Sequence, residues 1–370
     1  MATRLAPGNR GGLRLRIFGS EGGLEWDLEA CDRLKFNRFG KPDQIISRGH
    51  GHGVAPRVER LVRSARGFPE GIVEAWGNPE EVVLPRSSSK MLQALPLITS
   101  GAAHAHGLTS EQLALACASH EGGEIHTSRV RRWIDGLDLT DYDFRCGAHM
   151  PWDKAAHKAL LCSGTAPCQL HNNCSGKHAG FLTLNRHLGG GPDYVEPDHP
   201  VQKAVFEAFE EITAETSPYY GIDGCSAPNP ACTLHGMARA MAWFAAASET
   251  GGTVENAAVQ LWQAMVAHPE LVAGEGRACT ELMRACSEPV ALKTGAEAFF
   301  IAILPQRKLG VALKIADGGT RGAECAIASI LVRLGVLDPD HPTARKFRNA
   351  PITNWRGIET GMIKPAAALA

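Results

Sequence analysis

The sequence of 370 residues lacks an excess of charge of either sign. Its 38 lysines and arginines nearly balance its 39 aspartates and glutamates, which leaves a formal net charge of −1. Bulk electrostatic attraction to a nucleic acid or to an anionic membrane needs a strong positive excess, which this chain does not have. We therefore expect neither a nucleic acid nor a membrane as a partner.

Long hydrophobic runs are also missing. The most apolar stretch, around residues 237–247, is interrupted by Arg239 and is too short to cross a bilayer. The N-terminus lacks the apolar core of a signal peptide. The eleven cysteines are an odd number and lie scattered along the chain, which favours free thiols in a reducing compartment over a disulfide framework. We expect a cytoplasmic protein.

The chain divides by composition into three parts. Residues 1–55 are rich in arginine and glycine and lack sustained periodicity, which predicts a disordered or atypical N-terminal extension. Its glycine–histidine run at residues 48–53 is typical of a flexible linker, although histidines can also bind a metal weakly. Residues 56–350 are expected to form one domain, and residues 351–370 a C-terminal tail.

Strand and helix patterns are segregated along the domain. Two short strands are predicted at residues 72–76 and 82–84, and a capping box at Thr109 and Gln112 predicts a helix through Ala118. Further patterns predict helices at 201–213, 233–247, 254–267 and 322–334, and a hairpin of strands at 298–304 and 309–315. Strands that do not alternate with helices favour an α+β fold over a doubly wound parallel sheet.

A serine and a lysine three residues apart form the sharpest local signal, in the segment Pro85-Arg86-Ser87-Ser88-Ser89-Lys90. If a helix begins near Ser87, both side chains lie on one face of its first turn. A serine hydroxyl becomes a good nucleophile only when a base takes its proton, and a lysine with a lowered pKa can be that base. A capped helix start with a solvated lysine explains the same pattern.

A second motif, Lys293-Thr294-Gly295, precedes the predicted hairpin. In penicillin-recognising enzymes and serine glutaminases, a Ser-x-x-Lys motif opens a helix, and a Lys-Thr-Gly-type lysine on a strand faces it. The order of the two motifs, the hairpin and the final helix match that layout. The predicted fold is therefore α+β of the serine β-lactamase and glutaminase type, with an antiparallel sheet packed against helices and an additional helical region.

Seven ordered segments show a more specific resemblance. They are PRSSSK at 85–90, ASHEG at 118–122, HNNCSGKHAG at 171–180, GIDGCS at 221–226, VAGEGR at 272–277, KTGAE at 293–297 and ALKIADG at 312–318. In this order they resemble the rhizobial-type, or class 3, L-asparaginases, which belong to the bacterial asparaginase II family. The resemblance covers about residues 58–350 and makes residues 56–350 the expected catalytic domain.

This resemblance implies a catalytic set of two serine–lysine tandems around one substrate. Ser87 is paired with Lys90 and Ser119 with Lys293. Ser87 is the expected nucleophile and Lys90 its base, while the second tandem relays protons and polarises the site. From the residues alone, Ser119 is better explained as a hydroxyl that caps its own helix end, and the sequence leaves open which serine attacks.

The same resemblance implies a zinc site formed by Cys174, Lys177 and Cys225, with Asp223 near the metal-bound water. The spacing of these residues is not a zinc signature, and a lysine must lose its proton to bind a metal. Without the resemblance, the two cysteines are ordinary buried thiols. Zn²⁺ is expected to shape the pocket rather than to generate the nucleophile.

The resemblance further implies hydrolysis of the side-chain amide of L-asparagine through an ester on a serine, in a homodimer. Arg86 and Asp223 are candidates for binding the charged groups of the substrate, although Arg86 also fits a surface arginine. His120, His126 and His178 are expected to be structural. The chain departs from the family pattern at residues 63–67, where a usual histidine is missing, and at residues 227–230.

Three other functions fit parts of the same pattern. A related serine amidohydrolase, either a glutaminase or a penicillin-recognising enzyme, would share fold and chemistry. A catalytically inactive relative would bind zinc or an amino acid without turnover. An amidase that uses Cys174 as its nucleophile and His178 as its base is a further alternative.

Overall fold

The computed structural model describes four strands in the first part of the chain, then residues 72–367 and residue 369. The strands are β1 Arg14–Gly19, β2 Gly22–Asp27, β3 Arg33–Arg38 and β4 Gln44–Ser47. They form an antiparallel sheet in chain order and lie in a unit that ends at Val73. The sequence patterns did not predict these strands. The runs at 48–53 and 63–67 lie outside the described residues, and the three-part division of the chain stays a prediction.

The second unit, from Glu74 onward, carries the described helices. They are α1 Lys90–Thr99, α2 Ala102–Ala105, α3 Ser110–Ala116, α4 Glu124–Asp135, α5 Lys154–Ser163, α6 Ser175–Leu188, α7 Pro200–Thr213, α8 Leu234–Ala246, α9 Thr253–Ala267, α10 Pro269–Val272, α11 Ala278–Ala285, α12 Thr320–Arg333 and α13 Pro342–Arg348. Within the described residues, every helix is too short or too polar to cross a membrane.

The strands of the second unit form small antiparallel sheets. They are β5 Val82–Val83, β6 Tyr220–Ile222, β7 Pro228–Pro230, β8 Cys232–Thr233, β9 Ala291–Gly295, β10 Phe299–Leu304, β11 Leu309–Lys314, β12 Ala350–Thr353 and β13 Glu359–Ile363. The largest of these sheets has the order β11-β10-β9, and the others are the pairs β5-β8, β6-β7 and β12-β13. Helices and antiparallel strands in separate stretches confirm the α+β class.

Strand β10 is the middle strand of the three-stranded sheet. Every residue of β10 is buried, because α8 and α12 both pack against this strand. Lys293 on β9 is paired with Ile301 on β10. Strand β9 is an edge strand of this sheet, and the Lys293 side chain that it carries is buried.

Several predicted elements are confirmed and one is wrong. The Gln112 side chain accepts a hydrogen bond from the Thr109 backbone N–H at 2.8 Å and begins α3, as the capping box predicts. The predicted hairpin is β10 and β11. The predicted strand at 72–76 does not form, because β5 pairs with β8 instead and Val73 lies exposed to solvent.

The Ser-x-x-Lys segment starts a helix, as predicted. Residues Arg86–Ser89 form a 3-10 turn that leads directly into α1 at Lys90. This turn lies against β9, where a Cβ on Gly295 would come within 2.7 Å of the Pro85 carbonyl oxygen. The glycine of the Lys-Thr-Gly motif therefore allows the two motifs to approach each other closely.

Candidate active site

Three elements bring the predicted serines and lysines together. Lys90 begins α1, Ser119 follows α3, and Lys293 lies on β9. The Ser119 backbone N–H donates to the Val272 carbonyl at 2.9 Å, which fixes the segment after α3. Two elements far apart in sequence thus present buried amines to one hydroxyl.

Ser119 is the hydroxyl at which the two lysines meet. Its Oγ lies 3.0 Å from Lys90 Nζ and 2.9 Å from Lys293 Nζ. All three side chains are buried, with exposed fractions of 5% for Ser119 and 1% for each lysine. Two buried amines on one oxygen form a chain of hydrogen bonds along which a proton can move, provided that one amine is neutral.

Lys293 has the electrostatic surroundings of such a neutral amine. Burial, together with the nearby charge of Lys90, lowers the pKa of Lys293 to about 7. Its Nζ also contacts the Thr294 carbonyl oxygen at 2.6 Å, which fixes the direction of the side chain. A lysine with a pKa near neutrality can accept a proton during a reaction and return it.

Ser87 differs from its two neighbours in the same turn. Ser88 and Ser89 donate their hydroxyls to the carbonyl oxygens of Pro85 and Arg86, and both are buried. Ser87 is partly exposed, and its Oγ has no hydrogen-bond partner among the described residues. Of the three hydroxyls, that of Ser87 is therefore the one available to a substrate.

The structure pairs the lysines differently from the two expected tandems. Lys293 contacts Ser119, as expected. Lys90, however, donates to Ser119, to the Ala118 carbonyl oxygen and, at 3.2 Å, to Cys174 Sγ rather than to Ser87. Lys90 thus connects the serine–lysine cluster with the predicted metal ligands.

Arg86 and Asp223 contact each other directly. Arg86 Nε and Nη2 donate to Asp223 Oδ1 at 3.0 and 2.7 Å, and Nη1 pairs with Glu297. Although burial opposes it, the charges of Lys177 and Arg86 and the hydrogen bond from Arg86 lower the pKa of Asp223. The guanidinium of Arg86 already has two carboxylate partners, and its role as a substrate ligand stays a prediction.

Backbone strain accompanies this ion-pair cluster. Arg86 and Glu297 have φ values of 53° and 59°, and Ser226, next to Cys225, has a φ of 69°. Left-handed backbone conformations are unfavourable for residues with a Cβ and persist where the surroundings enforce them. Their concentration around Asp223 supports a functional site here. Glu297 was not identified from the sequence, because neither its conformation nor its contact with Arg86 leaves a pattern in the chain.

The three predicted metal ligands also lie together. Cys174 precedes the first turn of α6, Lys177 lies in that turn, and Cys225 follows β6. Lys177 Nζ donates to Cys225 Sγ at 3.0 Å, and Lys90 Nζ donates to Cys174 Sγ at 3.2 Å. All three are at most 3% exposed.

The protonation of these groups is strongly coupled. The hydrogen bond from Cys174, with the charge of Lys177, lowers the pKa of Cys225 well below its ordinary value, despite burial. Against burial, the negative charges of the Cys225 thiolate and of Asp223 raise the pKa of Lys177. A thiolate held by a neighbouring thiol and an ammonium group is therefore the stable arrangement of the protein alone.

This donor set fits a zinc ion. Zn²⁺ prefers thiolate sulfur and neutral nitrogen, and two sulfurs with one amine leave a coordination position open. Binding requires the protons of Cys174 and Lys177 to be displaced. Among the described residues, this site included, no group of three histidine, cysteine or acidic side chains is arranged for a metal, so zinc binding here depends on Lys177 as the third ligand.

The site lies within the part of the chain that matches a known family. A profile of L-asparaginase II matches residues 57–365. The chain belongs to the L-asparaginase II family. Its members are amidohydrolases, and the family implies an asparagine substrate. No curated protein matches this chain.

Histidines of this L-asparaginase II family member surround the site without contacting its hydroxyls. The His120 ring accepts a hydrogen bond from the Gly122 backbone N–H at Nδ1 and contacts Ser175 Oγ at Nε2. His178 Nδ1 contacts the Tyr194 hydroxyl at 2.9 Å rather than Cys174. Burial lowers the pKa of both rings, so both are neutral near pH 7. These contacts argue against His178 as the base of a cysteine nucleophile.

Proposed function

We propose that this protein hydrolyses the side-chain amide of L-asparagine to L-aspartate and ammonia through an ester on a serine. The observation that carries the proposal is the Ser119 hydroxyl between the Nζ atoms of Lys90 and Lys293, at 3.0 and 2.9 Å. Acyl transfer by serine needs a buried base with a pKa near neutrality. Lys293, whose pKa burial and Lys90 lower to about 7, supplies one.

In the first step, Ser87 attacks the amide carbon of asparagine. Lys90 first donates a proton to Ser119 while Ser119 donates its own proton to the neutral Lys293. The amine of Lys90, now neutral, then turns toward Ser87, three residues before it in the chain, and takes the Ser87 proton. The tetrahedral intermediate collapses when its C–N bond breaks and the nitrogen takes a proton from the hydrogen-bonded chain of Lys90, Ser119 and Lys293. This step releases ammonia and leaves an aspartyl ester.

Water hydrolyses the ester in the second step. Lys293, neutral again, takes a proton from the water through Ser119 and Lys90 as the water attacks the ester carbon, and Ser87 regains that proton when the C–O bond breaks. Negative charge is thus never left on the buried Ser119 hydroxyl, because its loss of a proton to Lys293 is matched by a proton from Lys90. The same residues serve both steps in reversed roles.

The charged groups of asparagine need fixed partners. Asp223 accepts all its hydrogen bonds, from Arg86 and the Gly224 backbone N–H, at Oδ1, and its Oδ2 has no partner among the described residues. We assign Oδ2 to the α-ammonium group of the substrate. Arg86 then acts mainly by holding Asp223 in place and keeping it ionised.

Cys174, Lys177 and Cys225 are the residues that would hold Zn²⁺. The ion would supply positive charge at the substrate's polar end and would tie α6 to the turn after β6. Lys90 Nζ lies 3.2 Å from Cys174 Sγ, so the position of Cys174 also orients Lys90. Loss of this contact is expected to disturb the serine–lysine chain as well as the metal site.

The test compares ammonia release from asparagine by the wild type and by Ser87→Ala. We expect kcat/KM to fall by at least a factor of about 10⁴ when the nucleophile is removed. Ser89→Ala is the matched control, because it removes a hydroxyl from the same turn that bonds only to the Arg86 carbonyl. Its kcat/KM is expected to stay within about threefold of wild type.

A second candidate for the nucleophile is Ser119, which contacts both lysines. Peptide mass spectrometry after reaction with an asparagine analogue that alkylates the nucleophile identifies the attacking serine. Label on Ser87 supports the order of steps given above. Label on Ser119 would exchange the roles of the two serines, and label on Cys174 would show a cysteine amidase.

Substrate range distinguishes the related enzymes. Asparagine and glutamine differ by one methylene, which is worth about 10- to 200-fold in kcat/KM in a pocket of fixed depth. We expect asparagine to be preferred. A preference for glutamine, or hydrolysis of a β-lactam, would identify the other serine amidohydrolases. Aspartate binding without any ammonia release would show an inactive relative.

A further inference from the structure

The loop between α10 and α11 is fixed to the segment that carries Ser119. The Val272 carbonyl accepts the Ser119 backbone N–H at 2.9 Å. Two residues on, Gly274 has a φ of +131°, and a Cβ there would come within 2.7 Å of Glu121 Oε2. The loop therefore follows Ser119 and Glu121 closely, and its last residue, Arg277, has a defined position relative to the serine–lysine chain.

Arg277 is held in place but is not saturated with hydrogen bonds. Its Nη1 lies 3.5 Å from Glu121 Oε1, and its Cζ lies over the Trp152 ring at 5.6 Å. A guanidinium has five N–H donors, so this single long contact leaves most of them without a partner among the described residues. The side chain is 27% exposed, which makes it accessible to a ligand.

Arg86 offers a direct contrast. Its guanidinium makes three close contacts with two carboxylates, Asp223 and Glu297, and a substrate carboxylate would have to displace one of them. Arg277 instead has one long contact with a carboxylate and an aromatic ring 5.6 Å from its Cζ, and its Nε and Nη2 have no hydrogen-bond partner among the described residues. The Nε and Nη2 edge of a guanidinium matches the two oxygens of a carboxylate.

Arg277 is also electrostatically connected with the reaction centre. Its positive charge is one of the secondary influences that lower the pKa of Lys293, after burial and Lys90. The geometric link is Glu121, which contacts Arg277 and lies two residues after Ser119, the hydroxyl that Lys293 contacts. Asparagine is short, with its α-carboxylate and its side-chain amide separated by two carbon atoms.

We infer that Arg277 binds the α-carboxylate of asparagine, an inference that rests on the function proposed above. Arg277 then sets the register of the substrate, because the carboxylate at one end fixes the position of the amide at the other. Asp223 and Arg277 together recognise the two groups that distinguish an amino acid from a simple amide.

Steady-state kinetics of Arg277→Gln and Arg277→Lys test this inference with two substrates, L-asparagine and its α-carboxamide. Loss of a bidentate charged contact is expected to raise KM for asparagine by about 100-fold in Arg277→Gln, with kcat within about threefold. Arg277→Lys keeps the positive charge but loses the two parallel N–H donors of the guanidinium, and it should give an intermediate KM. In both variants, KM and kcat for the α-carboxamide should hardly change.

Arg284→Gln is the matched control. Arg284 lies on α11, the helix that directly follows Arg277, and pairs with Glu270 and Glu275 on the surface. Its removal should leave both substrates unaffected. An equal rise in KM for asparagine and for the α-carboxamide, or no rise for either, would overturn the inference.

Calorimetric binding of L-aspartate tests the same contact without turnover. We expect Arg277→Gln to bind aspartate about 100-fold more weakly than wild type, while β-alanine, which lacks the α-carboxylate, binds both proteins equally. Equal aspartate affinities contradict the inference even if the wild type hydrolyses asparagine. A wild type that releases no ammonia but shows this binding difference contradicts only the proposed reaction. If Arg277→Gln fails to fold, Arg277→Lys is used in its place.

Discussion

A buried lysine amine is an effective base only where its surroundings disfavour the ammonium form. Lys293 meets this condition through burial on β9 and through the neighbouring charge of Lys90, which together lower its pKa to about 7. The hydroxyl of Ser119 connects the two amines. In the proposed reaction Ser119 carries protons between these two amines, a role that the family resemblance implied and that the residues beside it in the chain do not indicate.

Activity should depend on pH through Lys293. With a pKa of about 7, the amine is mostly neutral above pH 8 and mostly protonated below pH 6. Because the neutral form accepts the proton, kcat/KM for asparagine should fall about tenfold for each pH unit below the pKa. Rate measurements between pH 5 and 9 check this. A flat profile over that range would exclude a titrating lysine as the proton acceptor.

The proposed role of Cys225 as a zinc ligand can be tested by a single substitution. Cys225→Ala removes one sulfur and leaves Lys177 without its partner at 3.0 Å. We expect zinc per chain, measured by elemental analysis, to fall from near one toward zero, and KM for asparagine to rise at least tenfold. Cys232→Ala is the control, because this buried cysteine lies on β8 and contacts none of the proposed ligands. An unchanged zinc content would contradict the assigned ligands.

At the scale of elements, close approach of the 3-10 turn and β9 builds the site. A Cβ on Gly295 would lie 2.7 Å from the Pro85 carbonyl oxygen and 3.1 Å from the Ser88 nitrogen, both backbone atoms that cannot rotate away. Gly295→Ala should therefore separate Ser87 and Lys90 from Lys293. A displacement of about 1 Å can cost about 100-fold in rate, so we expect such a loss in kcat.

Gly322→Ala is the matched control for this change. Gly322 lies in α12, and a Cβ there meets only the Ile315 side chain at 3.4 Å, an ordinary contact. Alanine favours a helix over glycine by about 0.5–1 kcal/mol, so thermal unfolding should shift slightly upward while kcat is unchanged. Full activity of Gly295→Ala would show that the two motifs need not approach so closely.

Local patterns predicted the amphipathic and capped elements well. The capping box at Thr109, the helices α7, α8, α9 and α12 and the β10–β11 hairpin all occur where the sequence placed them. Helix α6, which carries Lys177, was missed. Residues 175–184 are buried on all sides, so the helix has no polar face and no hydrophobic period to detect.

At the scale of the whole molecule, the proposed site lies entirely in the second unit. The family match begins at residue 57, and the compact unit begins at Glu74. Removal of residues 1–55 should therefore leave kcat/KM within about twofold of the full chain. Ammonia release by the truncated and full-length proteins checks this. A large loss of activity in a folded truncated protein would give the first unit a role in catalysis.

The expected homodimer is a further prediction at this scale. Light scattering coupled to size-exclusion chromatography should give twice the mass of one chain. A monomer that hydrolyses asparagine would show that the active site is complete in one subunit. The cytoplasmic location stays a prediction as well.

The residue types of the site and their order along the chain follow from the linear sequence. An asparaginase could be identified from Ser-x-x-Lys, Lys-Thr-Gly and the ordered family segments. The residues of each such motif are neighbours in the sequence, so the motif can be found without knowledge of the fold. The side-chain contacts of these residues, in contrast, are fixed by how the chain folds. Lys90 contacts Ser119 and Cys174, and Arg86 contacts Asp223 and Glu297, across 29 to 211 residues of chain. Contacts over such separations depend on how helices and strands pack, which no short segment specifies.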